Sequence, residues 1–446
     1  MYRYNIYVEP IIALATPPFK SALALIRISG DNVFDIVSSL FSKNIGTGFK
    51  RKIMHGSISF ENNVIDDVVI FCYEASCSMT GEEVVEISCH GSMVIVKEIM
   101  EAFFSKGVRQ AEGGEFSARA FYFGKMDLIE AESVNDLINA TTKEAKDVAL
   151  MSYLGKVSPL LKPLKEKISD LLSKLEVNID FPEYEDIEQT NYEYVISQCK
   201  QMKESLATLI KQGHEGKIIR EGVKVAIVGE PNVGKSSILN ALLNEEKAIV
   251  TDIPGTTRDV VEGYLSIKGV PFILLDTAGI RDSLDVVESI GIKRSKKSIE
   301  EADMVILVSD DKTIFDESEI DCLCKDKILI KVTNKSDLIK QKEKGHIYVS
   351  ALNKDIEPLK KAMYESLQIN DSSFSTPSFS NQRELSLLKK IDNELSLVIK
   401  DCFDMVPMDL ISSSLLNAYN YVRELFGEDP THDLTDEIFS RFCVGK

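Results

Sequence analysis

The stretch GEPNVGKS, residues 229–236, carries residue types that bind phosphate. It matches the pattern GxxxxGK[ST] and stands between an apolar run and an amphipathic run, the strand and helix that a phosphate-binding loop requires. Gly229 and Gly234 allow backbone N–H groups to turn inward, and Lys235 can reach the β- and γ-phosphates. Ser236 supplies a hydroxyl for Mg²⁺. The segment predicts a nucleoside triphosphate site.

Three later segments indicate which nucleotide is bound. The run FILLDTAG ends a strand on Asp276, which is placed to bind Mg²⁺ through water, and brings the Gly279 N–H near a γ-phosphate. The run IKVTNKSD ends on Asp337, whose carboxylate can accept both N1–H and N2–H₂ of guanine, a pair of donors that adenine lacks. The segment VSAL, residues 349–352, adds a small side chain beside the base. The four segments have the order and spacing of a GTPase.

The predicted GTP-binding residues form four groups along the chain. They are Asn232, Val233, Gly234, Lys235, Ser236 and Ser237; Thr251, Asp252, Ile253, Pro254, Gly255, Thr256 and Thr257; Asp276, Thr277, Ala278 and Gly279; and Asn334, Lys335, Asp337, Ser350 and Ala351. For Mg²⁺, the hydroxyls of Ser236 and Thr257 are the predicted ligands.

Hydrolysis needs a group that orients water. Ile280 follows DTAG, where Ras-like GTPases carry a glutamine for this task, and isoleucine cannot perform it. Glu288 is a candidate, although its spacing alone favours an ordinary solvated helix residue. No arginine finger is identifiable, while Pro254 and Gly255 bend the loop TDIPGTTRDVVEG so that carbonyls can face a cation. A monovalent cation held there could supply the missing positive charge.

The elements that position these loops follow from hydrophobic patterning. Apolar runs at 224–228, 272–275, 304–308 and 328–332 alternate with helical patterns, which is typical of a parallel sheet. Apolar stripes of helical period precede this region, over about 126–215, and return after it. The stretch NDSSFSTPSFSN between them resembles a linker in composition. The pattern therefore predicts an α/β domain inserted into a helical domain.

The N-terminal region has a third pattern. Short apolar runs at 22–28, 64–73 and 84–88 are separated by Gly and Pro, which predicts an α+β domain.

Composition limits the class of protein. The chain has 446 residues, 44% hydrophobic, and its net charge of −18 argues against a protein that coats nucleic acid electrostatically. We expect no membrane segment, because no run of about 18 apolar residues occurs. The eight cysteines form no CxxC pair or zinc pattern. We therefore expect a cytoplasmic protein with free thiols.

Several stretches outside the GTPase motifs carry a family resemblance. They are ATPP with IRISG, TGEEVVEISCHG, GEFSARAFYFGKMDLIEAE, IDFPE and the terminal CVGK. With them the sequence resembles the MnmE (TrmE) family of tRNA-modification GTPases over almost its whole length. The resemblance implies a multi-domain α/β and α protein: an N-terminal α+β folate-binding domain like that of glycine-cleavage T-protein (1–120), a helical bundle domain (121–216 and 373–446), and a Ras-like P-loop GTPase domain inserted at 217–372.

The resemblance also implies a reaction and its partners. The family forms homodimers and binds a tetrahydrofolate derivative, 5-formyl- or 5,10-methylene-, as a one-carbon donor. With an MnmG-type enzyme, which carries FAD and uses NADH, it forms a heterotetramer that adds a carboxymethylaminomethyl-type group to C5 of the wobble uridine of certain tRNAs. The nitrogen donor and the tRNAs are not evident from the sequence.

Individual residues match family positions. The potassium ligands match Asn232, Thr251, Ile253 and Thr256. Glu288 matches the glutamate that orients water, which raises it above the solvated-helix interpretation.

The folate-contacting positions of the family match Arg27, Glu86 and Lys125, together with the tail. The cations would bind the glutamate part and the carboxylate would bind the pterin N–H groups. Lys446 would pair with an anionic part of the folate, and Cys443 would face the one-carbon chemistry or merely pack. The segment TPPFKSALA lacks the usual Gly-Arg-Gly, Met79 replaces a common Tyr, and Ser92 replaces a Gly, so details of the pocket differ.

Two other functions share the GTPase motifs. A ribosome-assembly GTPase of the Era or Der type would carry a basic RNA-binding module or a second GTPase domain, and neither is visible in the sequence. A purely regulatory GTPase would bind no folate.

Overall fold

The structure is a computed structural model that describes residues 9–180, 191–245, 263–275, 297–310, 323–339 and 347–428, and in the tail residues 435, 438–440, 442, 444 and 445. The chain divides into two compact units. The first comprises Met1–Asn135, Tyr153–Ser158 and Tyr419–Lys446, and the second comprises Asp136–Ser152 and Pro159–Ala418.

The first unit is built on a six-stranded sheet of order β3-β4-β5-β2-β1-β6. Its strands are β1 Ile11–Leu14, β2 Leu23–Gly30, β3 Arg51–Phe60, β4 Asn63–Tyr73, β5 Glu83–His90 and β6 Arg109–Gln110. Helices α1 (Val33–Ser38) and α2 (Met93–Phe104) contribute to a buried apolar cluster with one face of this sheet.

The alternation of side chains along β2 separates the core from a polar row. Ala24, Ile26 and Ile28 are buried in the apolar cluster, so Arg27 and Ser29 lie on the opposite face of the sheet. The antiparallel register places Arg27 opposite Glu86 of β5. Two residues far apart in the sequence therefore become cross-strand neighbours.

The second unit contains a sheet of order β12-β11-β10-β7-β9-β8. Its strands are β7 Val223–Gly229, β8 Gly263–Ile267, β9 Val270–Leu274, β10 Met304–Ser309, β11 Ile328–Thr333 and β12 Ile347–Tyr348. All neighbouring strands are parallel except β8 and β9, which form an antiparallel pair. The carboxyl ends of β7, β10 and β11 therefore meet at one edge, where ligands bind in open α/β sheets.

Helices make up most of the remainder. They are α3 Glu115–Tyr122, α4 Leu128–Asn139, α5 Lys143–Tyr153, α6 Lys162–Asp180, α7 Tyr192–Glu221, α8 Lys235–Glu245, α9 Glu357–Glu365, α10 Gln382–Phe403 and α11 Met408–Phe426. In the second unit α10 packs along α7. A reciprocal capping box starts α10, since the Asn381 side chain accepts from the Arg383 N–H and Glu384 accepts from the Asn381 N–H.

The predicted strands of both sheets are confirmed, with ends that shift by one or two residues. The patterning missed five strands, β1, β3, β6, β8 and β12. Strands β1, β6 and β12 are only two to four residues long, and the runs RKIMHGSISF and GYLSI lack a clear apolar alternation.

The linker prediction for NDSSFSTPSFSN is wrong. Ser378, Phe379 and Ser380 are buried, and Asp371–Phe374 form a short 3₁₀ helix. The segment is ordered because it packs on α7, where Gly213 and Gly216 leave room for it.

Candidate functional site

The phosphate-binding loop joins β7 to α8 and takes a shape that requires glycine. Gly229 has a φ of 155° and Gly234 a φ of 97°. A Cβ atom on Gly229 would lie 2.3 Å from the Val308 carbonyl oxygen. The loop therefore passes close to the end of β10, and a side chain at this position would push the two apart.

Lys235 begins α8 and reaches back over the loop. Its Nζ donates to the carbonyl oxygens of Gly229, at 2.9 Å, and Glu230, at 2.8 Å. Burial lowers the pKa of Lys235 from its ordinary value of 10.5. Neutral carbonyls orient the ammonium group without cancelling its charge, so it can attract a phosphate.

Asn334 connects three loops at this edge. It is 3% exposed, and its Nδ2 donates to the Val233 carbonyl at 2.9 Å while its Oδ1 accepts from the Ala351 N–H at 3.2 Å. A Cβ on Gly234 would lie 2.2 Å from the same Nδ2. The sequence predicted Asn334 as a nucleotide contact, and the structure gives its side chain a buried bridging position.

Lys335 and Asp310 form a second connection. Lys335 Nζ donates to the Asn232 carbonyl at 2.9 Å and to Asp310 Oδ2 at 2.9 Å. Sequence reasoning missed Asp310. Its position directly after β10, at the carboxyl edge of a parallel sheet, was the available signal.

Asp337 and Ser350 stand where the guanine site was predicted. Ser350 is 2% exposed, and its Oγ donates to Asp337 Oδ1 at 2.6 Å. Asp337 itself is exposed. The hydroxyl orients a carboxylate at the edge of the sheet, where it can accept hydrogen bonds from N–H donors of a base.

A second polar cluster lies in the first unit, around Arg27. Arg27 donates to Glu86 Oε1 through Nε at 2.9 Å and NH2 at 2.7 Å, and through NH1 to the Gly445 carbonyl at 3.0 Å. The Arg27 guanidinium stands 5.7 Å from the centre of the Phe116 ring. Burial, followed by the Glu86 charge, raises the pKa of Tyr73. The sequence did not indicate Tyr73 or Phe116.

The tail reaches this cluster through close backbone contacts. Val444 forms an antiparallel bridge with Gly113, and a Cβ on Gly445 would lie 2.7 Å from the Leu14 carbonyl oxygen. A Cβ on Gly114 would lie 2.3 Å from the Phe439 carbonyl oxygen. Glycines on both sides thus allow the tail to lie directly against the N-terminal part of the first unit.

Comparisons with known proteins identify the family. Residues 10–125 match the model described as GTP-binding protein TrmE N-terminus, and residues 128–443 match the MnmE helical domain. The chain belongs to the MnmE (TrmE) family. The family prediction and the predicted enzyme class, a GTPase, are therefore confirmed.

Curated relatives cover nearly the whole chain. The tRNA modification GTPase MnmE of Clostridioides difficile (strain 630) is 38% identical over 459 residues, which is 98% of this chain and 99% of that protein. The protein of the same name from Streptococcus thermophilus (strain CNRZ 1066) is 39% identical over 460 residues, 98% of each. Among solved structures, the G domain of the T. maritima FeoB iron transporter is 28% identical and covers 32% of this chain and 98% of that one, with a TM-score of 0.25.

The MnmE stretches of the N-terminal unit form a buried ionic network. Arg119, 0% exposed, donates to Glu82 at 3.0 Å and to Glu115 at 3.0 Å. Arg109 donates to Glu115 at 2.6 Å, and Ser29 donates to Glu82 at 2.8 Å. The motifs IRISG, TGEE and GEFSARA therefore share one internal network.

The pKa values of the two carboxyl groups of this network shift in opposite directions. Burial raises the pKa of Glu82, although Arg119 and Ser29 oppose the change. Burial would also raise the pKa of Glu115, but hydrogen bonds from Arg109, the Glu112 N–H and Arg119 outweigh it and lower the pKa. Glu115 accepts more charge-assisted hydrogen bonds, which is the physical reason for the difference.

The run MDLIEAE contains another structural device. Asp127 accepts from the Glu130 N–H and Glu130 accepts from the Asp127 N–H, both at 2.8 Å, and Ser158 donates to Asp127. This is a reciprocal cap at the start of α4, which the spacing D-x-x-E could have indicated. Lys125, just before it, is exposed and donates to the Ser76 carbonyl at 3.2 Å.

Other predicted residues lie outside the described part of the chain. They are Thr251, Asp252, Ile253, Pro254, Gly255, Thr256, Thr257, Asp276, Thr277, Ala278, Gly279, Glu288, Cys443 and Lys446. Ser236 and Ser237 are described and lie in the first turn of α8. Within the described ranges, none of the helices has both the length and the apolar character needed to cross a membrane.

Proposed function

We propose that this chain binds and hydrolyses GTP while it modifies tRNA. The nucleotide part rests on one observation, the convergence of Lys235, Asn334 and the Asp337–Ser350 pair at the carboxyl edge of the parallel sheet. A cation for phosphates and a carboxylate for a base stand on loops that Asn334 connects. The tRNA part rests on the names of relatives that cover 98% of the chain.

Asp337→Asn tests the nucleotide assignment. The Ser350 hydroxyl can still donate to the amide oxygen of asparagine, so the loop should keep its shape. Guanine would lose an acceptor for its paired donors, at a cost of about 1–3 kcal/mol. We expect GTP affinity to fall about 5- to 150-fold in a titration while the melting temperature stays unchanged. Unchanged affinity and selectivity would count against the guanine assignment.

Two of the proposed metal ligands, Ser236 and Asn232, lie among the described residues. Ser236 offers a hydroxyl oxygen at the start of α8, a donor type that suits Mg²⁺, with Thr257 as the second proposed ligand. Asn232, on the left-handed turn of the loop (φ 66°), would hold K⁺ with Thr251, Ile253 and Thr256. Mg²⁺ and K⁺ would neutralise the charge that develops on the phosphates, and Glu288 would orient water. Hydrolysis should then be much faster in K⁺ than in Na⁺, and Glu288→Ala should reduce turnover with little change in GTP affinity.

The Arg27 cluster is the proposed site for a tetrahydrofolate derivative, 5-formyl- or 5,10-methylene-. Arg27, Glu86 and the Phe116 ring combine charge, acceptor and aromatic surface. Because Arg27 and Glu86 contact each other at 2.7 Å, they would bind one polar region of the ligand together, rather than its opposite ends. Lys125 and Lys446 would add positive charge, and Cys443 is the proposed thiol.

The full reaction would use partners. We propose a homodimer that acts with an FAD- and NADH-dependent enzyme of the MnmG type on C5 of the wobble uridine, with the one-carbon unit supplied by the folate. No observed feature favours a ribosome-assembly role, since the N-terminal match covers residues 10–125 and belongs to the TrmE family.

Deletion of residues 443–446 tests the folate site. Gly445 would be lost as an acceptor for Arg27, so reduced-folate binding should weaken and tRNA modification should fail. GTP hydrolysis should remain, because the sheet that carries Lys235 and Asp337 lies in the other unit. Lys446→Ala should mainly weaken folate binding, whereas Cys443→Ser should spare binding and abolish modification if the thiol takes part. A truncated chain that modifies tRNA at the normal rate would contradict the site.

A further inference from the structure

Helix α7 connects the helical part of the second unit directly to the sheet formed by β7–β12, which we call the nucleotide sheet. It runs unbroken from Tyr192 to Glu221, and Gly222 alone separates it from β7. Gly222 has a φ of 80°, and a Cβ there would lie 2.7 Å from the Pro271 carbonyl oxygen of β9. Any rotation of the sheet relative to α7 would therefore disturb the close contact between Gly222 and Pro271.

The chain that leaves the sheet returns to the same helix. A Cβ on Gly213 would lie 2.5 Å from the Phe379 carbonyl oxygen, and a Cβ on Gly216 would lie 2.2 Å from Ser378 Oγ. We call residues 370–381 the return segment. The residue that leads into the sheet, Gly222, and the return segment that leaves it are thus both attached to α7.

Glu215 lies between these two glycines and binds the return segment. It is 7% exposed, and it accepts from Asn370 Nδ2 at 2.8 Å, from the Asn370 N–H at 3.3 Å and from the Ser373 hydroxyl. Within the described ranges it forms no ion pair, and its donors are all neutral groups. A buried carboxylate without a cation is unusual, because such charges are normally paired.

Neutral donors suit a connection that opens and closes. Asn370 and Ser373 can exchange their bonds to Glu215 for water, and this exchange separates no cation from the carboxylate. Two clefts of about 500 Å³ and 440 Å³ flank Glu215 and share Ala207, Lys211 and Glu215 in their walls. They leave room for water beside Glu215. By contrast, the end of α7 is fixed by an ion pair, Arg220 to Asp136 at 2.6 Å.

We infer that Glu215, Asn370 and Ser373 form a latch between the nucleotide sheet and α7. In this latch Glu215 is a positioning residue. The latch couples GTP turnover to tRNA modification. Opening and closing of the return segment would change how the sheet is held on α7. The coupling to modification rests on the proposed function, whereas the movement of the latch with nucleotide does not.

Glu215→Gln tests the latch with little change in volume. The amide keeps one acceptor but places an NH₂ group opposite donors of Asn370 or Ser373. We expect the GTPase rate to stay within about 2-fold of wild type, and modified tRNA formed per GTP hydrolysed to fall at least about 5-fold. The double variant Glu215→Gln/Asn370→Asp reverses the polarity of the pair and should recover most of the ratio. Glu204→Gln, at an exposed position of α7, is the matched control and should change neither value.

Hydrogen exchange gives a readout that does not need tRNA. In wild type, backbone protection of residues 370–381 should differ between GDP and a non-hydrolysable GTP analogue, and in Glu215→Gln this difference should disappear. An identical exchange pattern in wild type with both nucleotides would overturn the latch. So would a Glu215→Gln protein that keeps the normal ratio, or one whose two activities fall together with its melting temperature. If wild type shows the exchange difference but modifies no tRNA, the proposed function fails and the latch stands.

Discussion

The carboxyl edge of the parallel sheet and the first unit each hold a cation, but in different ways. Lys235 is hydrogen-bonded to two backbone carbonyls, whereas Arg119 is fully buried against the carboxylates of Glu82 and Glu115. A cation held by carbonyls keeps its charge for a ligand, while a cation enclosed by carboxylates is neutralised and fixed. The type of group that is hydrogen-bonded to a cation, a carbonyl or a carboxylate, therefore distinguishes binding residues from residues that stabilise the fold.

Arg27 lies between these two cases. It is bonded to a carboxylate, as Arg119 is, and to a backbone carbonyl, as Lys235 is, and its side chain is 16% exposed. This intermediate position is what a binding residue in a folded ionic network would have. Substitutions can test this comparison, beginning with the one that should have the largest effect.

Arg119→Ala should have the largest effect, on stability. Glu82 and Glu115 would lose a shared buried cation, at a cost of about 3–5 kcal/mol. Thermal unfolding followed by circular dichroism should show an earlier transition of the N-terminal unit, with GTP affinity unchanged. The control Lys97→Ala removes one partner of an exposed pair with Glu101, and should shift stability by less than about 1 kcal/mol. Equal shifts in both variants would show that the network contributes no more to stability than an exposed ion pair does.

Lys235→Ala should show the reverse pattern. Its two carbonyl partners can bind water, so the melting temperature should change little. GTP affinity should fall at least about 100-fold, since each charge-assisted hydrogen bond to phosphate contributes about 1.5–3 kcal/mol. Titration of a fluorescent GTP derivative measures the loss, with Lys224→Ala, an exposed lysine of β7, as control. A stable Lys235→Ala protein that binds GTP normally would remove the distinction between the two kinds of cation.

Glu115→Gln should have the smallest effect, and one that depends on pH. Because the folded state lowers the pKa of Glu115 below its ordinary value of 4.5, its ionised form stabilises the fold above that pH. Wild type should exceed Glu115→Gln in stability by about 1–3 kcal/mol at neutral pH, and the difference should shrink as the pH falls below 4.5.

Glu82→Gln should give the opposite slope. The folded state raises the pKa of Glu82, so its ionisation disfavours folding, and wild type should gain stability relative to this variant as the pH falls. Denaturant unfolding at several pH values compares the two. Parallel slopes would mean that the two carboxyl groups share one environment.

The nucleotide motifs were predictable because each is local. A strand, a glycine-rich turn and a helix follow one another over residues 223–245, and the strands β7, β10 and β11 were identified from their apolar runs. The role of Asn334 was not predictable. Its side chain joins Val233 and Ala351, which lie on other loops, and only the assembled sheet brings them within hydrogen-bond distance.

The pairing of Arg27 with Glu86 was hidden for a similar reason. Arg27 meets Glu86 through the register of β2 and β5, and register is set by the whole sheet rather than by either strand. Composition also misled in the return segment, where serines indicated a flexible linker. Ser373 and Ser378 are buried there because α7 supplies an acceptor and two glycines.

The arrangement of the first compact unit has a consequence for biosynthesis. It combines Met1–Asn135 with Tyr419–Lys446, so one folded body contains both early and late parts of the chain. At about 5–20 residues per second, a ribosome needs on the order of 15–60 s to make the residues in between. During that interval Gly113 and Gly114 lack the strand and carbonyls that later cover them, and Arg27 lacks the Gly445 carbonyl. Nascent chains halted before residue 419 should therefore expose this region to protease, and chains that include residues 419–446 should protect it.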